Sequence, residues 1–257
     1  MNAAPSPPSR AAVRTESLGL AIGGARIVSR VDMEIAEGEF IGVIGPNGAG
    51  KTSLLNLLTG TTRATEGAIH LLGRDVTRLA PHRRARLGVG RTFQTSYLLL
   101  GLTVRENVRL MVQSRTVRGP GLLRFVTAGD DTSQRAEEAL ARVGLADKAD
   151  LTVAELSHGD RRKVEIAVVL AADARLVLFD EPMAGVNSAD VDGLVELIRE
   201  VHRGGTSVIM VEHHMHVVLG LADRVAVMHN GELLALDRPD AVMADDRVQT
   251  AYLGEPL

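Results

Sequence analysis

The chain has 257 residues, enough for one large domain or a core with a lobe, and is 45% hydrophobic and 24% charged with a net charge of −3. That balance, with no basic stripe, 2% aromatics and no Trp, offers neither an electrostatic footprint nor a stacking platform for nucleic acid. The lack of Cys excludes disulfides and thiolate metal sites and is compatible with a reducing compartment.

No run of about 18 apolar residues occurs, so no membrane span is expected. The N-terminus lacks the basic-then-apolar order of a secretory signal. Met1 to Arg14, with Pro5, Pro7 and Pro8, reads as a disordered tail. From Thr15 to Ile35 short β-like stretches are punctuated by Gly23-Gly24. Phe40–Ile44 is an apolar run suited to a buried parallel strand. Leu54, Leu55, Leu57 and Leu58 then recur at helix spacing up to a capping Gly60, and Gly67–Leu72 reads as a strand. Residues from about Val104 to Val169 are mostly helical in pattern, broken at Arg118–Gly121 and near Gly129. Arg175–Phe179, Ser207–Val211 and Val225–Met228 read as strands, and Ala189–His202 as a helix. An α/β core interrupted by a helical lobe is the simplest architecture.

Three motifs carry chemistry. Gly45-Pro46-Asn47-Gly48-Ala49-Gly50-Lys51-Thr52, followed by Ser53, fits G-x-x-x-x-G-K-[ST] between a strand and a helix. Such a loop turns its N–H groups onto phosphate oxygens, and the helix adds its positive end. Lys51 would reach the β- and γ-phosphates of ATP, and the Thr52 hydroxyl would ligate Mg²⁺. Against this stands only an accidental Gly-rich turn. Second, Leu176–Phe179 delivers Asp180 and Glu181 at a strand's C-terminal end, where open α/β sheets place ligands. Asp180 would hold Mg²⁺ and Glu181 polarise the attacking water, the alternative being a solvated strand end. Third, Leu156-Ser157-His158-Gly159-Asp160 opens a helix through Arg161–Leu170. By its residues alone it is a capping-box-like start, with Ser157 as N-cap and Asp160 three positions on.

This third motif resembles the signature of ATP-binding-cassette (ABC) ATPases, usually Leu-Ser-Gly-Gly-Gln, and the resemblance runs from about Thr15 to Leu257. It implies a P-loop NTPase core of RecA type with an antiparallel β subdomain, and a helical subdomain inserted at about residues 95–170. It also implies that Gln94 contacts Mg²⁺ or water and senses the transport partner. His213 matches the switch histidine that contacts the γ-phosphate, and Ala184–Asn187 the D-loop that meets the partner subunit. Without the resemblance, Gln94 reads as a loop amide and His213 as a helix start. The cluster Glu212–His216 matches no metal-ligand spacing.

The chain departs from the family pattern at four places. His158 and Asp160 alter the signature, Asn187 replaces a common Asp, and His214 follows the switch histidine where Asp is frequent. Ile22 lies where an aromatic usually stacks on adenine, a loss on the order of 1 kcal/mol. Within the family, the Leu-Ser-His-Gly-Asp form looks like the branched-chain amino acid importers and their urea- and amide-importing relatives. So do Glu181–Asn187, the ending Ala251–Glu255 and the long segment Gln113–Thr132. The resemblance implies a composite site completed by Ser157 and Gly159 of a second ATPase subunit, in a homo- or heterodimer. It further implies membrane permease subunits above it, a periplasmic solute-binding protein reached indirectly, and a peripheral place on the cytoplasmic face of the inner membrane. Lipopolysaccharide export is the runner-up within transport, and a non-transport ABC ATPase the alternative outside it.

Overall fold

The structure, a computed structural model, describes residues 11–92, 98–116 and 131–253. In chain order its first half holds β1 (Ala11–Ile22), β2 (Ala25–Ala36), β3 (Phe40–Ile44), α1 (Lys51–Thr59), β4 (Glu66–Leu71), β5 (Arg74–Asp75), α2 (Pro81–Arg86), β6 (Val89–Arg91), α3 (Val104–Thr116) and α4 (Asp131–Arg142). Then come α5 (His158–Ala171), β7 (Leu176–Asp180), α6 (Ser188–Arg203), β8 (Ser207–Val211), α7 (Met215–Leu221), β9 (Arg224–His229), β10 (Glu232–Asp237), α8 (Pro239–Ala244) and α9 (Asp246–Leu253). They form two compact units, one built from the chain up to Leu87 and from Gly205 onward, the other from Gly88–Gly204.

In the first unit β3 is flanked by β8 and β9, both parallel to it, and β10 closes antiparallel on β9. Every residue of β3 and β8 is buried, as strands covered on both faces require. A second sheet in the order β2-β1-β4-β5 is antiparallel. Its first strand begins at Ala11, so Ala11–Arg14 are strand rather than the tail expected from the sequence. Val13 pairs with Ile35 on one side and Leu71 on the other, and Ala12 and Val13 are fully buried. Partners that distant in sequence order a stretch whose local composition reads as tail. The rest of the expected tail, residues 1–10, lies outside the described residues.

In the second unit α3, α4 and α5 pack on one another, α6 packs on α5, and β6 pairs in parallel with β7. Thr103 and Glu106 form a reciprocal cap at the start of α3, with Thr103 N donating to Glu106 Oε2 at 2.9 Å and Glu106 N to Thr103 Oγ1 at 3.1 Å. This unit takes in β6, β7 and α6 besides the helices expected at 95–170. The breaks expected at Arg118–Gly121 and near Gly129 lie outside the described residues.

Candidate functional site

The apolar strand β3 ends at Ile44 and α1 starts at Lys51, so Gly45–Gly50 is a tight connection between two buried elements. Gly50 is the N-cap of α1 with φ 94 and ψ 7, and a Cβ there would meet Ile27 O at 2.7 Å. Only glycine holds that left-handed turn without strain and clash. No acidic residue lies in the first turn of α1, so the positive end of the helix is not neutralised from within. Lys51 is 6% exposed, and its Nζ donates to Gly45 O at 2.6 Å and Pro46 O at 3.0 Å. Thr52 and Ser53 follow it at the helix start, Thr52 exposed and Ser53 half-buried.

In the same unit β8 runs into Glu212, whose buried carboxylate accepts from His213 N at 2.9 Å, His214 N at 3.3 Å and His214 Nδ1 at 2.9 Å. One buried acid thus shapes the turn that presents the exposed His213. Ile22 is 58% exposed at the end of β1, and the aromatic Phe40 is fully buried in β3, as the strand read from the sequence requires.

The second unit places Asp180 at the end of β7, 1% exposed. Arg91 NH2 donates to Asp180 Oδ2 at 2.8 Å, with both side chains almost fully buried. Asp180 Oδ1 has no hydrogen-bond partner among the described residues. Glu181 follows with φ 49, a left-handed backbone that costs a non-glycine residue about 1–2 kcal/mol. Its carbonyl accepts from Ala184 N at 3.1 Å, so the chain turns sharply straight after the strand. Strain of this kind concentrates at functional sites.

Ser157 caps α5, its Oγ accepting from Asp160 N at 3.1 Å, and Gly159 is buried one residue into the helix. Lys148 Nζ donates to Asp160 Oδ2 at 2.7 Å, and Lys163 lies 3.9 Å from Oδ1. Burial pushes the Asp160 carboxyl up, but hydrogen bonding from Lys148 and Ser157 and the two lysine charges outweigh it and hold the group below its ordinary value. Asn187 is exposed at the N-cap of α6 without a capping side-chain bond. Gln94 lies outside the described residues, and Thr92, the last described residue before it, donates its N–H to Leu178 O at 3.0 Å.

Two residues were not singled out from the sequence: Arg91 and Glu212. Arg91 sits on a three-residue strand whose pairing is not visible locally. Glu212 is hidden in a histidine-rich run, where a carboxylate directly before the histidines was the available signal.

A glycine-rich loop between a buried parallel strand and a helix, with Lys and Thr opening that helix, defines a P-loop nucleotide-binding protein. Residues 28–184 match the ABC transporter family model. The high-affinity branched-chain amino acid transport ATP-binding protein LivG of Salmonella typhimurium is 36% identical over 253 residues, 96% of this chain and 99% of that protein. The lipopolysaccharide export system ATP-binding protein LptB of Haemophilus influenzae is 32% identical over 240 residues, 93% of this chain and 96% of that one. Among solved structures, the ADP conformation of an ATP-binding cassette of an ABC transporter is 28% identical with a TM-score of 0.83, covering 95% of this chain and 99% of that one. The chain belongs to the ABC transporter family, as an ATP-binding cassette.

Proposed function

We propose that this chain is the ATP-hydrolysing subunit of an ABC importer for branched-chain amino acids or related small polar solutes. The observation that carries the solute class is the full-length similarity to LivG, a branched-chain amino acid transport protein. Lys51 leaves the carbonyls of Gly45 and Pro46 for the β- and γ-phosphates, while the loop Gly45–Gly50 and the first-turn amides of Lys51, Thr52 and Ser53 cradle them. Ile22 contributes only an aliphatic contact near the adenine.

The residues present suit Mg²⁺. Asp180 Oδ1 is a buried carboxylate oxygen with no partner among the described residues, and such an atom suits a hard cation. Thr52, Asp180 and Gln94 would hold the ion, which when bound neutralises phosphate charge. Glu181 takes the proton of the attacking water and His213 contacts the γ-phosphate. Ser157 and Gly159 of the partner subunit close the site, since a hydroxyl that accepts from Asp160 N still has its own proton to donate to a phosphate oxygen. ATP thus acts as the glue of a homo- or heterodimer, and hydrolysis releases it.

Among the described residues no helix is long and apolar enough to cross a membrane. The similarity to a transport ATP-binding protein supports permease subunits as the path for the solute, which this subunit joins peripherally at the cytoplasmic face, with the solute delivered by a periplasmic binding protein. The exposed Leu99 and Leu110, on a hollow of about 310 Å³ in the second unit that Arg91, Asn107 and Glu165 also line, support a protein partner of that kind.

The test is reconstitution with the neighbouring permease and binding protein, measuring ATPase stimulation by branched-chain amino acids, urea and short amides. Stimulation by an aliphatic amino acid is the expected result, and Glu181→Gln should bind ATP without turnover. Silence toward every amino acid would overturn the solute, with lipopolysaccharide as the next cargo to try. Turnover no greater than that of Glu181→Gln would overturn the enzyme.

A further inference from the structure

Arg91 and Asp180 sit at the ends of neighbouring strands. Parallel pairing sets Arg91 against Leu178, two residues before Asp180, and Thr92 N donates to Leu178 O at 3.0 Å. The guanidinium root is thereby fixed one strand over from the carboxylate. Its NH2 donates to Asp180 Oδ2 at 2.8 Å, the two side chains being 5% and 2% exposed. Charge-assisted bonds in such surroundings are among the strongest that side chains make.

The other oxygen, Oδ1, is buried and accepts nothing from the described residues. A carboxylate's terminal torsion is broad and two-fold, so an aspartate alone does not choose which oxygen it presents. With Oδ2 held by Arg91, Oδ1 is the oxygen that remains to be offered. Leaving a buried acceptor open is costly unless something takes it. Outer-shell partners of just this kind orient metal-binding carboxylates.

We propose that Arg91 is the positioning residue that holds Asp180 Oδ2 so that Oδ1 faces the divalent cation. The inference rests on the reading of Asp180 as a cation ligand. The part of Arg91 is to act through the aspartate, which it holds by the Arg91 NH2–Asp180 Oδ2 bond. The rival account is an ion pair that merely locks β6 to β7.

The two accounts part on cation affinity. Mn²⁺ serves as the probe, titrated by electron paramagnetic resonance against the full chain with ATP in a Glu181→Gln background that prevents turnover. Arg91→Gln should weaken Mn²⁺ binding about tenfold, while binding of a fluorescent ATP analogue in EDTA stays unchanged. Arg91→Lys keeps the charge without the planar fork and should recover part of the loss. In an Asp180→Asn background Arg91→Gln should add nothing, because the residue it positions has lost its charge. If Arg91→Gln does not fold, Arg91→Lys decides by the same titration. Wild-type Mn²⁺ affinity in the Arg91 variants, with Asp180→Asn weakened, would overturn the inference and leave a strand lock. Wild-type affinity in Asp180→Asn itself would instead overturn the reading of Asp180 as a ligand.

Discussion

Gly231 N donates to Ala49 O at 3.1 Å, and Gly231 O accepts from Ser29 N at 2.8 Å, so one residue ties the phosphate loop to β2. It lies in the hairpin turn between β9 and β10, where Asn230 has φ 49 and Gly231 φ 81. A Cβ at Gly231 would meet Ile27 O at 2.7 Å, and Ile27 is on the strand that also faces Gly50. Gly231→Ala should therefore destabilise the protein by about 2 kcal/mol, from left-handed strain plus the clash, and weaken ATP binding. Gly231→Asn tolerates the left-handed backbone but keeps the clash, so it should rescue little. Urea unfolding and titration with a fluorescent ATP analogue check both, and wild-type behaviour of the Ala variant would show the turn to be independent of the loop.

Arg84 guards the other end of α1. It is 2% exposed, and its NH1 donates to Leu57 O at 2.6 Å and Leu58 O at 2.8 Å, with Nε on Leu79 O at 3.0 Å. A cation there meets the negative end of the helix and satisfies carbonyls that the helix itself leaves open. Burial draws its pKa down, yet a guanidinium stays ionised at any working pH. Arg84→Ala should cost about 2–4 kcal/mol of stability, because the Leu58 and Leu79 carbonyls lose the Arg84 donor, Leu57 O keeps only Gly60 N, and a cavity opens. Arg84→Lys should cost less. The midpoint of urea unfolding measures each, and ATP affinity below the transition should stay near wild type.

How much of this was legible in the sequence depends on how far apart the interacting residues lie. Phe40–Ile44, Gly45–Thr52 and the cap at Gly60 are local patterns, and strand, loop and helix fall where they were read. Ser157 is likewise the N-cap of α5. What escaped is non-local. Arg91 and Asp180 are 89 residues apart, and β6 has only three residues. Ala11–Arg14 are ordered by Ile35 and Leu71, which no window around residue 11 contains. The strand β10 differs, since it is locally signalled: Asn230-Gly231 after the apolar strand β9 is a strong hairpin pattern, and β10 pairs antiparallel right behind it.

Lys51 should be indispensable to turnover but not to the fold. Its Nζ rests on the carbonyls of Gly45 and Pro46, a buried arrangement that moving onto phosphate would exchange for stronger charge-assisted bonds. Lys51→Ala should lower ATP hydrolysis by at least about 10²-fold and weaken nucleotide binding. It should leave the far-ultraviolet circular dichroism unchanged. Residual turnover close to wild type would remove Lys51 from the site.

Asp160 stands where the family commonly has Gln, and its ionisation should leave a mark on acid stability. Burial pushes its carboxyl up, but Lys148, Ser157 and Lys163 hold it below its ordinary 3.8. The contact with Lys148 in turn raises that lysine. With the folded value depressed, the unfolded chain binds the proton more readily. The stabilisation is fully present above the ordinary value and is lost as pH falls through the lower folded one. Wild type should therefore lose stability more steeply between about pH 5 and pH 3 than Asp160→Asn, which has no proton to take up there. Above that window the Asn variant should be the less stable of the two. Lys148→Met should flatten the same part of the curve from the other side, and the double variant should flatten it no further. Urea unfolding across a pH series measures the slopes, and equal slopes in wild type and Asp160→Asn would show that the pair forms without linking folding to protonation.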